Sequence, residues 1–83
     1  MKLVYFARVR EQLGCDEEIL DKPSDVATLG QLVDWLARQR GEPWASVLTA
    51  PDLIMALNQE VAGPQAQLSE QDEVAFFPPV TGG

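Results

Sequence analysis

Apolar and polar residues along the 83-residue chain fall into short segments separated by turn-forming positions. From Lys2 to Arg10 the composition is β-branched and aromatic, which predicts a strand. In that strand Leu3, Tyr5, Ala7 and Val9 share one face, and Val4 and Phe6 share the other with Lys2, Arg8 and Arg10. Gly14 falls in a polar turn, and Glu18-Ile19-Leu20 suits a short return strand. Lys22-Pro23-Ser24-Asp25 reads as a loop, because proline and the residue before it resist regular structure. The strongest periodic signal is a helix from Leu29 to Arg40. Leu29, Leu32, Val33 and Leu36 make one apolar stripe at helical spacing, and Thr28 with Gln31 forms a capping box. Arg38 and Arg40 suit the negative end of the helix dipole, and Gly41 suits the residue just past it.

Glu42 to Ala50 reads as a connector with a short helical turn containing Trp44, Val47 and Leu48. Leu53 to Leu57 predicts a strand buried on much of both faces, and Asn58-Gln59-Glu60 a turn with a short strand beginning at Val61. Gly63-Pro64 breaks the chain, and Leu68 leads through polar residues to a last strand, Glu73 to Phe77, stopped by Pro78-Pro79. One helix to cover one four- or five-stranded sheet predicts an α+β roll, with the first and last strands adjacent at its centre.

Composition narrows the chemistry. With 13 acidic and 6 basic residues the net charge is −7, unsuited to nucleic acid or an anionic membrane and suited to a basic protein partner. Histidine is absent, which removes the usual general base and the commonest metal ligand. The single cysteine, Cys15, is followed by Asp16, Glu17 and Glu18, which disfavour a thiolate, so it is not expected to be catalytic. Those three carboxylates alternate between faces in a strand and read as a solvated turn, not a metal site. Trp35 lies beside the helix stripe and Trp44 in the connector; partial burial is expected of both. The N-terminus has too short an apolar stretch for a signal peptide, and no window approaches the roughly 20 apolar residues of a membrane span. The cytoplasm is the expected compartment.

Reactive chemistry is expected instead at the end of the chain. Residues 1–79 are expected to form one domain and Val80, Thr81, Gly82 and Gly83 a flexible arm. Four residues reach at most about 14 Å, and glycine can thread a narrow channel. A terminal carboxylate, with a pKa of about 3.5, is ionised at neutral pH and can attack a nucleotide phosphate. The acyl-adenylate formed at Gly83 can then be captured by a sulfur or nitrogen nucleophile.

The stretch from Asp72 through Phe76-Phe77-Pro78-Pro79 to Gly82-Gly83 resembles the C-terminus of the MoaD family, the small subunits of molybdopterin synthase. Val4-Tyr5-Phe6-Ala7-Arg8-Val9-Arg10-Glu11 and Ala56-Leu57-Asn58 fit the same resemblance. It implies a ubiquitin-like β-grasp fold and a sulfur carrier. An E1-like enzyme would adenylate Gly83 with ATP, and sulfur would convert it to a thiocarboxylate. The arm would then enter the large subunit and donate sulfur to cyclic pyranopterin monophosphate. No permanently bound cofactor and no metal are implied, side-chain catalysis falls to the large subunit, and the assembly is a heterotetramer of two small and two large subunits. The resemblance also places Phe6, Val61 and Phe77, with Pro78 and Pro79, at the contact with that large subunit. Other readings are a sulfur carrier for thiamin, cysteine or tRNA thiolation, a modifier conjugated through Gly83, and a plain interaction module.

Overall fold

A computed structural model describes residues 1–79. Five strands form one mixed sheet: β1 (Lys2–Tyr5), β2 (Glu17–Ile19), β3 (Ile54–Leu57), β4 (Glu60–Val61) and β5 (Glu73–Phe77). Their order is β2-β1-β5-β3-β4, with β1 and β5 parallel at the centre and the remaining pairs antiparallel. Helix α2 (Leu29–Arg40) supplies Leu29, Leu32, Val33 and Leu36 to the core, where they join Leu3, Tyr5, Val74 and Phe76 of the central strands. This arrangement is the β-grasp that the resemblance implied.

The expected capping box is present: the Thr28 hydroxyl accepts from the Gln31 amide at 3.2 Å, and Gln31 Oε1 accepts from the Thr28 amide at 3.2 Å. The next turn is held from outside, since the Gly30 amide donates to the Pro64 carbonyl at 2.9 Å. A Cβ at Gly30 would stand 3.1 Å from the Pro64 Cβ, so any other residue would need Pro64 to give way by a few tenths of an ångström.

The first expected strand is corrected. It ends at Tyr5, and a helix, α1 (Ala7–Leu13), follows it. Ala7 takes a positive φ of 50°, which turns the chain sharply after Phe6. Arg8 and Arg10 therefore lie on a helix rather than on the sheet, and Val9 enters the core from that helix. Gly14, left-handed at φ 68°, caps α1 with its amide on the Arg10 carbonyl at 2.9 Å. The short helical turn of the connector is α3 (Trp44–Leu48). In β3 only Ala56 is buried and its neighbours are half-buried, less than the apolar run suggested. Val80, Thr81, Gly82 and Gly83, the expected arm, lie outside the described residues.

Candidate functional site

Strand alternation sorts the sheet residues by face. Register carries one row across all five strands: Glu17 pairs with Val4, Val4 with Ala75, Ala75 with Ala56, and Ala56 with Val61. This row lies on the face that α2 does not cover. Phe6 extends β1 by one step, its amide donating to the Phe76 carbonyl at 3.0 Å, and so stands beside Phe77 on the same face. The two rings meet edge to face with centroids 6.2 Å apart. Phe6 is 47% exposed and Val61 77%. With Val4, Ala75 and Phe77 they line a shallow cavity of about 450 Å³.

Three of the five expected contact residues, Phe6, Val61 and Phe77, are thus brought together around one cavity. Pro78 and Pro79 are not part of it. They line a second hollow of about 310 Å³, with Arg8 and Val9 of α1 and Ser46 and Val47 of α3. Phe77 thus borders one concave surface and Pro78-Pro79, directly after it, the other. Gly83, Gly82, Thr81 and Val80, the residues expected to react and to form the arm, lie beyond the described part.

The charged groups of the open face gather at the end away from Phe6 and Phe77. Lys2 Nζ lies 3.2 Å from a Glu17 carboxylate oxygen and 3.9 Å from one of Glu73. All three side chains line the same cavity.

The other face carries a network that sequence reasoning missed. Arg40 grips Glu18 with two hydrogen bonds, Nη1 to Oε2 at 2.7 Å and Nη2 to Oε1 at 2.8 Å. The Tyr5 hydroxyl donates to the same carboxylate at 2.8 Å. The Arg40 guanidinium also lies 4.3 Å from the centroid of the Trp44 ring, which meets Tyr5 edge to face at 5.3 Å. Arg40's hydrogen bonds hold the Glu18 carboxyl below its ordinary range. Burial, then the hydrogen bond to Glu18, pushes the Tyr5 phenol well above its own.

The acidic run is consequently corrected in part. Glu17 stays at the surface, but Glu18 is tied into the fold rather than solvated. Cys15, half-buried next to it, has its thiol raised first by burial and then by the Glu18 charge. A cation, Arg40, does act on that thiol from across the fold, but it does not outweigh them. Trp35 and Trp44 are both partly buried against the core. Among the described residues no group of three His, Cys, Asp or Glu could hold a metal, and no helix is long and apolar enough to cross a membrane.

Comparison with known proteins relates the chain as a whole to a family. Residues 3–83 match the family model described as the ThiS family. The chain is 40% identical over 83 residues to the molybdopterin synthase sulfur carrier subunit of Escherichia coli, and 39% identical to that of Haemophilus influenzae. Each alignment covers 100% of this chain and 99% of the relative. Among solved structures, the small archaeal modifier protein 1 of Haloferax volcanii superposes with a TM-score of 0.72 at 26% identity, covering 96% of this chain and 97% of that one.

Proposed function

The chain belongs to the ThiS family, and from that premise we propose that it is the sulfur-carrier small subunit of a molybdopterin synthase. Full-length similarity to two bacterial sulfur carrier subunits carries this reading. The geometry adds an exposed apolar face beside the strand that leads toward Gly82-Gly83.

In this reading the Gly83 carboxylate attacks the α-phosphate of ATP on an E1-like activating enzyme, and pyrophosphate leaves. A persulfide on the sulfur donor then attacks the acyl carbon and expels AMP. A second thiol cleaves the resulting acyl disulfide, releasing the thiocarboxylate as the two donor sulfurs are oxidised to a disulfide. The arm 80–83 enters the large subunit, and its sulfur bonds to a carbon of cyclic pyranopterin monophosphate as a carbon–oxygen bond there breaks. Water cleaves the resulting thioester to leave the sulfur on the pterin and return Gly83 to the carboxylate. Two deliveries build the dithiolene. The small subunit contributes the reactive terminus and the docking face. Side-chain catalysis belongs to the large subunit, in a heterotetramer of two small and two large subunits acting in the cytoplasm. No resident cofactor is required. The net charge of −7 suits basic surfaces on both partners.

Intact mass after incubation with the activating enzyme, ATP and a sulfur donor tests the reading: one oxygen should be exchanged for sulfur. Removing Gly82 and Gly83 should abolish the exchange and leave the fold intact, while Cys15→Ser should retain it. Loss of exchange in Cys15→Ser would overturn a mechanism based on the terminal carboxylate. The likeness to a protein named as a modifier favours one second reading, conjugation through Gly83. Ladders of larger conjugates without sulfur exchange would select it.

A further inference from the structure

The open face is apolar at one end and charged at the other, and the charges do not balance. Lys2 stands between Glu17 and Glu73, one ammonium against two carboxylates, so the cluster carries −1. In water this costs little. When a protein covers the cavity these groups share with Phe6 and Phe77, the unmatched carboxylate loses its hydration and has no second counter-charge among the described residues that line the cavity. We infer that Glu17 and Glu73, flanking Lys2, form a cation-accepting subsite of the docking face, filled by an arginine or lysine of the large subunit. This rests on the reading of the open face as the surface that meets that subunit. Arginine suits the site better, because its planar fork can serve two carboxylates at once.

The subsite also has a fixed place. Glu73 and Phe77 share a face of β5 four positions apart, which at about 3.3 Å per residue separates them by about 13 Å. The partner's cation must therefore lie about 13 Å from the pocket that takes Phe77, on the side away from the entrance for residues 80–83. A partner turned end for end would set its cation against Phe6 and Phe77 and leave the carboxylates uncovered. The charge thus selects the one orientation in which the tail points at its channel, a role suited to electrostatics at interfaces.

The test is binding of the full chain to the large subunit by titration calorimetry, in a series of salt concentrations. The pair Glu17→Gln with Glu73→Gln turns the cluster from −1 to +1. It should weaken binding about 10-fold or more at low salt and flatten or reverse the salt dependence. Glu17→Gln alone, confined to an edge strand, should do the same to a lesser degree. Lys2→Met turns the cluster to −2 and should bind at least as tightly as the parent. Parent-like affinity and salt dependence in the double variant, or equal weakening by Lys2→Met, would overturn the subsite. Phe77→Glu separates the two levels. If it fails to weaken binding, the docking face itself is misassigned; if it abolishes binding while the glutamine variants bind normally, the face stands and only the cation subsite falls.

Discussion

Tyr5 and Phe6 are neighbours in the chain, as are Phe76 and Phe77, and each pair is divided between opposite faces of the sheet. Tyr5 and Phe76 are stacked on each other beneath α2, ring centroids 5.5 Å apart, with almost no surface left to water. Phe6 and Phe77 meet edge to face on the uncovered side. The same aromatic residue type at adjacent positions therefore serves two ends. One face completes its packing within the chain and accounts for the stability of a small domain. The other leaves its packing incomplete, and an incomplete apolar surface beside an exit strand is how a fold marks a place for another protein.

That division should be sharpest in paired substitutions. Phe76→Ala opens a cavity in a fully packed core and should cost about 3–5 kcal/mol, a large share of the 5–15 kcal/mol typical of whole domains. Phe77→Ala should change the urea midpoint by no more than about 1 kcal/mol equivalent, while weakening attachment to the large subunit. Unfolding curves and binding isotherms for the two proteins measure both sides. A larger loss of stability from Phe77→Ala than from Phe76→Ala would break the comparison of faces.

A smaller effect separates Glu17 from Glu18, again adjacent and again on opposite faces. Glu18→Gln removes the carboxylate from the hydrogen bonds of Arg40 and Tyr5 and should cost about 1–2 kcal/mol near neutral pH. Glu17→Gln should cost almost nothing, because its ion pair is exposed. The pH dependence follows in sign from the lowered pKa of Glu18. The stabilisation it provides is complete above the unfolded glutamate value of about 4.3 and is lost as pH falls through the lower folded value. The gap between parent and Glu18→Gln should hold constant from about pH 7 to about pH 5 and close below about pH 4. Urea unfolding across that range measures it. A gap that persists at the acid end would mean that Glu18 stabilises by shape rather than by charge.

Local signals were the legible ones. The stripe, Thr28-Gln31 box and Gly41 of α2 are written within a few residues of one another, and Leu29–Arg40 matches them to the residue. Pro78-Pro79 marks the end of β5 in the same way. Alternation alone assigned Val4 and Phe6 to a common face, and the cavity holds both. What escaped was non-local or concealed by a competing pattern. Arg40 and Glu18 are 22 positions apart, and nothing near either one announces the other. Alternation continued through Ala7 and Val9 hid α1. Its helix-favouring Arg10-Glu11-Gln12-Leu13, with Val9 and Leu13 one turn apart, was the usable signal. The boundary between strand and helix depends on the left-handed turn at Ala7, a conformation that alanine does not advertise.

That turn yields the smallest effect and a check on where the open face ends. Ala7 holds φ at 50°, a region that disfavours a side chain by about 1 kcal/mol, and it does so where the chain must leave the sheet to keep Phe6 out of the core. Glycine adopts the same backbone freely but loses more entropy on folding, so Ala7→Gly should stabilise by at most about 0.5 kcal/mol. At this chain length that raises the melting temperature by a few degrees at most. Ala7→Val should lower it by more, since a β-branched side chain tolerates positive φ least. Affinity for the large subunit should move less than about threefold in Ala7→Gly, because Phe6 is already set by its amide bond to the Phe76 carbonyl before the turn begins. A stable Ala7→Gly protein that binds the large subunit poorly would show instead that the strained turn, and not the β1–β5 ladder, aims Phe6 at the partner.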